Sequence, residues 1–270
     1  MKFTNIHRLA CVFSALAFLA ACSSMKEGQI ARSSNNDEKI INKESSNATV
    51  TETVDVQHLL SQSNRYLDGK KSVSAAARKS FSIALAAKKA GKLDEAEAGF
   101  VELTVREPTL SGPWVQLGDI AKQRVQLSKQ QKQQEQLLEK AAEQYRQAIF
   151  INSSNYRAHN RLATVYREQG QFDMALTHYQ KAIDAWPAFA PAYKNRGILQ
   201  DLYIGNKSEA LVDYRIFQAL NQAKANTDGQ LAQYKQFIKS QRQIKGWIAD
   251  LSRQIQQDTN KRLEVANNAL

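Results

Sequence analysis

Cysteine, histidine, proline and glycine are all scarce in this 270-residue chain, and each shortage removes a class of protein. Two cysteines cannot build a disulfide framework, and four histidines leave little for a metal site. Eleven glycines and four prolines are too few for a turn-rich β protein. The same totals disfavour a multi-span membrane protein. What is abundant is Ala, Gln and Lys, with 37 Lys+Arg against 26 Asp+Glu and a formal charge of +11. Such a composition fits a mostly helical chain, either of about two domains or of one extended array.

The N-terminus reads as an address. Lys2 and Arg8 precede an apolar run from Leu9 to Ala21, too short for a stable membrane span and ordered like a signal peptide. The run ends in Leu19-Ala20-Ala21-Cys22, which resembles the bacterial lipobox. That resemblance implies a lipoprotein signal peptide at 1–21, diacylglyceryl transfer to Cys22 and cleavage before it. An ordinary cleavage site beside a chance cysteine is the alternative. Cleavage removes Cys11, and the lipid blocks Cys22, so no free thiol remains. Losing Lys2 and Arg8 takes the formal charge from +11 to +9. Two or three acyl chains, palmitate among them, anchor stably where one chain is marginal. Ser23 stands where enterobacterial lipoproteins retained in the inner membrane carry aspartate. By that resemblance the address is the outer membrane, facing the periplasm.

Residues 22–51 are Ser, Asn, Lys and Glu with few apolar side chains, and they cannot offset the entropy of ordering. They read as a lipidated, disordered tether with a root-mean-square reach of about 30 Å. Ser23-Ser24-Met25-Lys26 matches an S-x-x-K catalytic motif by chance, since a tether cannot preorganise it. Seven basic and seven acidic residues between Ser23 and Ala75 leave the tether neutral, so the positive charge lies beyond it.

Self-comparison then finds a repeat. Ala175, Tyr179, Ala182 and Pro187 have spacings that recur at Ala96, Phe100, Leu103 and Pro108. They recur again at Ala141, Tyr145, Ala148 and Ser153, and at Ala210, Tyr214, Phe217 and Gln222. Upstream of each lies a partner helix, marked by Ile83, Ala84, Ala87 and Gly91; by Trp114, Leu117 and Gly118; by Leu162, Ala163, Tyr166 and Gly170; and by Tyr193 and Gly197. These positions resemble the tetratricopeptide repeat, whose pattern is W-x2-L-G-x2-Y, A-x3-F and P. The resemblance covers units at 77–110, 111–155, 156–189 and 190–224, and it is strongest at 156–189. It implies an all-α fold, a right-handed superhelix of about four helix-turn-helix repeats with a C-terminal capping helix. Arg196 and Gln200 depart from the pattern, standing where a leucine and an aromatic are usual.

Ala96 to Ala141 spans 45 residues, against 34 and 35 for the next intervals, and the excess lies in a stretch without proline or glycine. Eleven residues are about three helical turns, which predicts a hairpin at 118–145 with both helices lengthened. Beyond the repeats, 225–270 carries Leu231, Tyr234, Phe237, Ile238, Ile244, Trp247, Ile248, Leu251 and Ile255 at helical spacing, with Thr227 or Asp228 as its cap. Seven basic and two acidic residues between Gln230 and Arg262 leave a membrane-surface role as an alternative for this helix. Val56, Leu59, Leu60 and Tyr66 predict an N-terminal capping helix within 52–76.

No catalytic constellation emerges. His58, His159 and His178 show no metal-ligand spacing, and no glycine-rich phosphate loop occurs. The sequence reads as that of a non-enzyme without cofactor, apart from the covalent lipid. A signal peptide places its basic surface away from nucleic acid. In the resembled family the first helices line a groove that holds a peptide. That implies groove residues Arg78, Lys88, Lys89, Asp119 and Lys122, then Arg157, Asn160, Arg161, Thr164 and Arg167, then Lys194, Asn195 and Asp201. Most of the charged ones are basic, which suits an acidic peptide or a carboxylate terminus read by forked arginine contacts. Asn160, Arg161, Lys194 and Asn195 resemble part of the carboxylate clamp of chaperone-binding relatives, and a generic solvated basic face remains the alternative. The expected role is a lipid-anchored adaptor for another envelope protein, in pilus, secretin or cell-wall assembly. A structural protein that self-associates through the hairpin or the C-terminal helix is the other reading. Replacing Cys22 (Cys22→Ser) abolishes acyl labelling and leaves an unprocessed precursor; unchanged labelling contradicts the lipid anchor.

Overall fold

The computed structural model describes residues 55–68, 72–228 and 235–269; the signal peptide, Cys22 and the tether at 22–51 lie outside them. After α1 (Val56–Ser61) and a 3-10 turn at Arg65–Leu67, the chain forms four helix pairs. These are α2 (Ala75–Lys89) with α3 (Leu93–Arg106), α4 (Ser111–Leu127) with α5 (Gln131–Ile151), α6 (Tyr156–Glu168) with α7 (Phe172–Ala185), and α8 (Ala190–Leu199) with α9 (Lys207–Thr227). A final helix, α10 (Lys235–Asn268), follows. The fold is all-α, an array of four helix-turn-helix units closed by a C-terminal helix, and no strand occurs among the described residues.

The repeated small and aromatic positions make the core. Ala96, Ala141, Ala175 and Ala210 are wholly buried, and Phe100, Tyr145, Tyr179 and Tyr214 beside them are at most 1% exposed. A Cβ on Gly118 would overlap the Tyr145 ring, so glycine there is what lets α4 and α5 approach. First helices start at side-chain caps where they can: Ser74 Oγ accepts from Ala77 N–H and Asn155 Oδ1 from Ala158 N–H, each at 3.0 Å. Second helices α3 and α7 lack such caps but carry Asp94, Glu95 and Asp173 in their first turns, where the helix dipole favours acids. Gly91 and Gly170 close the turns of units one and three at φ +79° and +75°. Unit two closes with Ser128-Lys129-Gln130 instead.

The eleven-residue excess is shared between both helices of unit two. α4 has 17 residues against 13 in α6, and α5 has 21 against 14 in α7. Arg124 braces the longer hairpin to α3 through Asp94 and Glu97, both at 2.5 Å, and Lys140 joins Glu97 at 2.8 Å. Burial alone raises the Glu97 carboxyl, but hydrogen bonds from Lys140 and Arg124 hold it below its ordinary range.

Unit four explains its own departure from the pattern. Arg196 grips Asp213 with two bonds, Nε to Oδ2 at 2.9 Å and Nη2 to Oδ1 at 2.7 Å, and Gln200 Nε2 adds a third at 3.3 Å. Asp213 is 1% exposed, so the charge that Arg196 brings to a usually apolar position is met by a buried carboxylate on the adjoining helix. The first helix then widens at Gln200–Ile204 before turning at Gly205, φ +81°.

Both ends differ from expectation. Thr227 ends α9 rather than starting the next helix, and Asp228 N–H caps it on the Lys224 carbonyl at 2.9 Å. α10 packs on α9 through Ile244 and Leu251, with Trp247 5.2 Å from Tyr214, but Ile238 is exposed. Leu231 and Tyr234 lie outside the described residues. From Gln256 to Ala269 every residue is exposed.

At the other end, the helix expected within 52–76 is six residues long, and it docks on α9 of the last unit. Three apolar contacts, Val56, Leu59 and Tyr66, are too few to cover unit one but complete the core cluster around Tyr156, Trp186 and Leu220. Residues 55–68 thus form a strap that runs back past units four and three before α2 begins.

Removing Asp213 (Asp213→Ala) strands the Arg196 guanidinium in the core and costs about 3–5 kcal/mol. Arg196→Leu combined with Asp213→Leu recovers most of that loss. Urea unfolding midpoints of the single and double variants measure both.

Candidate protein-interaction face

The four first helices lie side by side, joined by polar contacts from one unit to the next. Asp119 on α4 is the hub. It accepts from Tyr145 Oη at 2.9 Å and pairs with Arg161 Nε of α6 at 3.1 Å and Lys88 Nζ of α2 at 3.4 Å. Burial, with Asp119 beside it, pushes the Tyr145 phenol far above its ordinary range. Lys122 of α4 pairs with Glu168 of α6. Asn195 Nδ2 of α8 donates to Asn160 Oδ1 at 3.0 Å. Lys88, Lys122 and Arg161 therefore hold the units in register, and Asn160, at 3% exposure, is a joint inside the array.

The other implied groove residues stand differently. Arg78, Lys89 and Arg157 are exposed and make no ion pair among the described residues. Lys194 Nζ lies 5.7 Å over the Phe217 ring. Thr164 Oγ1 donates to the Asn160 carbonyl at 3.0 Å, and Asp201 accepts from Tyr214 Oη at 3.2 Å. Arg167 is distinctive: its Nε and Nη1 are buried without a hydrogen-bond partner among the described residues, while its guanidinium sits 5.9 Å over the Tyr203 ring. Buried N–H groups left unpaired are costly, so an acceptor delivered there, a carboxylate above all, gains more than on an open surface.

Other features were not legible in the sequence. His159 and His178 meet across unit three with their Nδ1 atoms 3.0 Å apart. The Nε2–H of His159 donates to the Ser153 carbonyl at 2.9 Å, which leaves its Nδ1 to accept from His178. Nineteen positions separate them, a spacing that matches no ligand motif. Groups of three or more metal-ligating side chains are absent among the described residues. The strap's anchor was equally hidden: Tyr66 Oη lies 3.3 Å from Ser111 Oγ, which accepts from Asn155 Nδ2 at 3.0 Å, and the Tyr66 ring stands edge-on to Tyr156 at 5.8 Å. Asp213 had no signal of its own, since it stands at an open position of the A-x3-F pattern where the other units carry Gly99, Gln144 and His178; of the pair, only Arg196 broke the pattern.

This geometry defines a helical-repeat protein. A profile of the tetratricopeptide repeat matches residues 156–189. Among solved structures, TTC0263, a thermophilic TPR protein of Thermus thermophilus, is similar at 22% identity, over 56% of this chain and 76% of that one, with a TM-score of 0.49. MamA is similar at 20% identity, over 56% of this chain and 81% of that one, TM-score 0.46. PilF of Pseudomonas aeruginosa is similar at 16% identity, over 65% and 76%, TM-score 0.47. Curated proteins give no match. The chain carries a tetratricopeptide repeat in its third unit. Repeats of this kind are generally non-enzymatic scaffolds, and their arrays act as protein-interaction modules.

The histidine pair makes stability depend on pH. Burial lowers both imidazoles, His178 to about 4 with His159 adding to the effect. A base whose folded pKa is depressed favours the folded state fully above its unfolded value of about 6.5. That contribution is lost as pH falls from about 6.5 towards 4. His178→Phe is expected to flatten the slope of the urea midpoint between pH 7 and pH 5; an unchanged slope contradicts the pairing.

Proposed function

We propose that this chain is a lipid-anchored adaptor that binds an acidic segment of a partner protein along its first-helix face, assisting assembly or localisation of an envelope complex. The carrying observation is a charge imbalance. Lys88, Lys122 and Arg161 are matched to Asp119 and Glu168, whereas Arg78, Lys89, Arg157, Arg167 and Lys194 make no ion pair among the described residues. Surplus cations along one face favour an anionic partner and exclude a cationic one. The anchor at Cys22 and the outer-membrane, periplasm-facing address rest on the sequence, and pilus, secretin or cell-wall machinery are the systems this reading covers.

A second reading, self-association, is favoured by the exposed end of α10 and by Leu127 at the hairpin tip, 70% exposed. Solution mass that rises with concentration supports it.

The adaptor reading is tested with the fragment from Thr51 to Leu270, which contains the compact unit Glu52–Leu270. Envelope extract is passed over this fragment and over the variant Lys89→Glu/Arg157→Glu/Lys194→Glu. A partner held by the first is expected to bind the variant about tenfold or more weakly, with a shallower salt dependence. Equal retention by both rules the face out.

A further inference from the structure

A cleft of about 880 Å³ opens beside the first-helix face, between the strap, the start of α2, and the junctions of units one to three. Its rim carries Arg65 from the strap, Arg78 from α2 and Arg157 from α6, against one carboxylate, Asp68. None of these arginines makes an ion pair among the described residues, and all are exposed. Its floor combines the apolar Val73, Ala77, Phe81, Leu110 and Val115 with the buried polar Ser111 and Asn155. α4 starts in this cleft with Leu110 at its N-cap and no side chain capping its first N–H groups, so the dipole adds to the positive rim. The strap is fixed in place, because the Tyr66–Ser111–Asn155 bonds hold it against the junction of units two and three.

We propose that this cleft is a second binding site, contiguous with the first-helix face, for an acidic peptide segment with an apolar side chain. A carboxylate sits among Arg65, Arg78 and Arg157, and the apolar side chain rests on Phe81, Leu110 and Val115. Charge complementarity selects the occupant: a three-to-one excess of guanidinium over carboxylate around a partly apolar floor repels cations and leaves a purely apolar ligand with unmatched charge. A cleft of this size suits a few residues of chain rather than a whole helix. The proposal deepens the adaptor reading and rests on it, because Arg78 and Arg157 belong to both surfaces. It adds that the strap, which is no part of any repeat, completes the site.

The test uses the full chain and a dye-labelled hexapeptide, Glu-Asp-Leu-Phe-Glu-Asp, with free and amidated C-termini, followed by fluorescence anisotropy. Saturable binding is expected, lost when every acid is replaced by its amide. A weaker amidated form assigns the rim to a terminal carboxylate, and equal binding assigns it to side-chain acids. Arg65→Ala and Arg78→Ala are expected to weaken binding about two- to fivefold each, and about tenfold together. Lys261→Ala/Arg262→Ala, on the exposed end of α10, leaves it unchanged, while Lys89→Ala/Lys194→Ala reports on the first-helix face instead. If binding responds to Lys89 and Lys194 but not to Arg65 and Arg78, the cleft proposal is overturned and the first-helix face stands. If the peptide does not bind, the cleft proposal also fails, while the extract experiment still decides the adaptor reading independently.

Discussion

Everything in this molecule depends on how closely two helices can approach. Each unit places an alanine in its second helix and an aromatic ring one turn later, and the first helix must offer almost nothing opposite them. Tyr145 lies against Gly118 and Tyr214 against Gly197, where even a methyl group would collide, and Ala175 and Tyr179 share a buried cluster with Ala163. Close approach brings whole surfaces into dispersion contact and keeps water out, so small residues contribute through what they allow others to touch. Because each unit has one apolar face left over, the next unit covers it, and the array grows by stacking.

The polar contacts follow from that stacking. Once the first helices are side by side, charges on neighbouring units fall within reach, and Asp119 collects a phenol, a lysine and an arginine from three helices. Such partly exposed pairs contribute little stability each. Their effect is on register and on what remains: by consuming the acids of the face they leave its other cations unbalanced. The buried Arg196–Asp213 pair differs in kind. It is out of water, and it is tolerated because two bonds on one carboxylate, with Gln200 as a third partner, satisfy groups that would otherwise be costly.

What was legible in the sequence was periodic. The alanine and aromatic spacings located every helix pair, and an interval of 45 residues among others of 34 and 35 located the longer hairpin, because insertions in a helix must respect its turn. Contacts between residues far apart in the chain were not legible. Lys88, Arg161 and Asn160 look alike as polar residues on first helices, yet two of them are spent on neighbours and the third is buried. Val56 and Leu59 announced an apolar helix face without saying which unit it would meet.

That meeting changes the mechanics of the array. In a simple solenoid each unit touches only its neighbours, so terminal units fray independently and stability is close to a sum along the chain. Here α1 rests on α9, and Tyr66 joins the aromatic cluster of Tyr156, Trp186 and Phe189, so residues before the first unit are held by the last two. The strap therefore lines the cleft beside unit one while resting on units three and four. The loop so closed is on the order of 100 residues or more, but closure entropy grows only with the logarithm of length, so a few apolar contacts suffice to hold it. The ends of the array are therefore coupled through the same segment that completes its arginine-rimmed cleft.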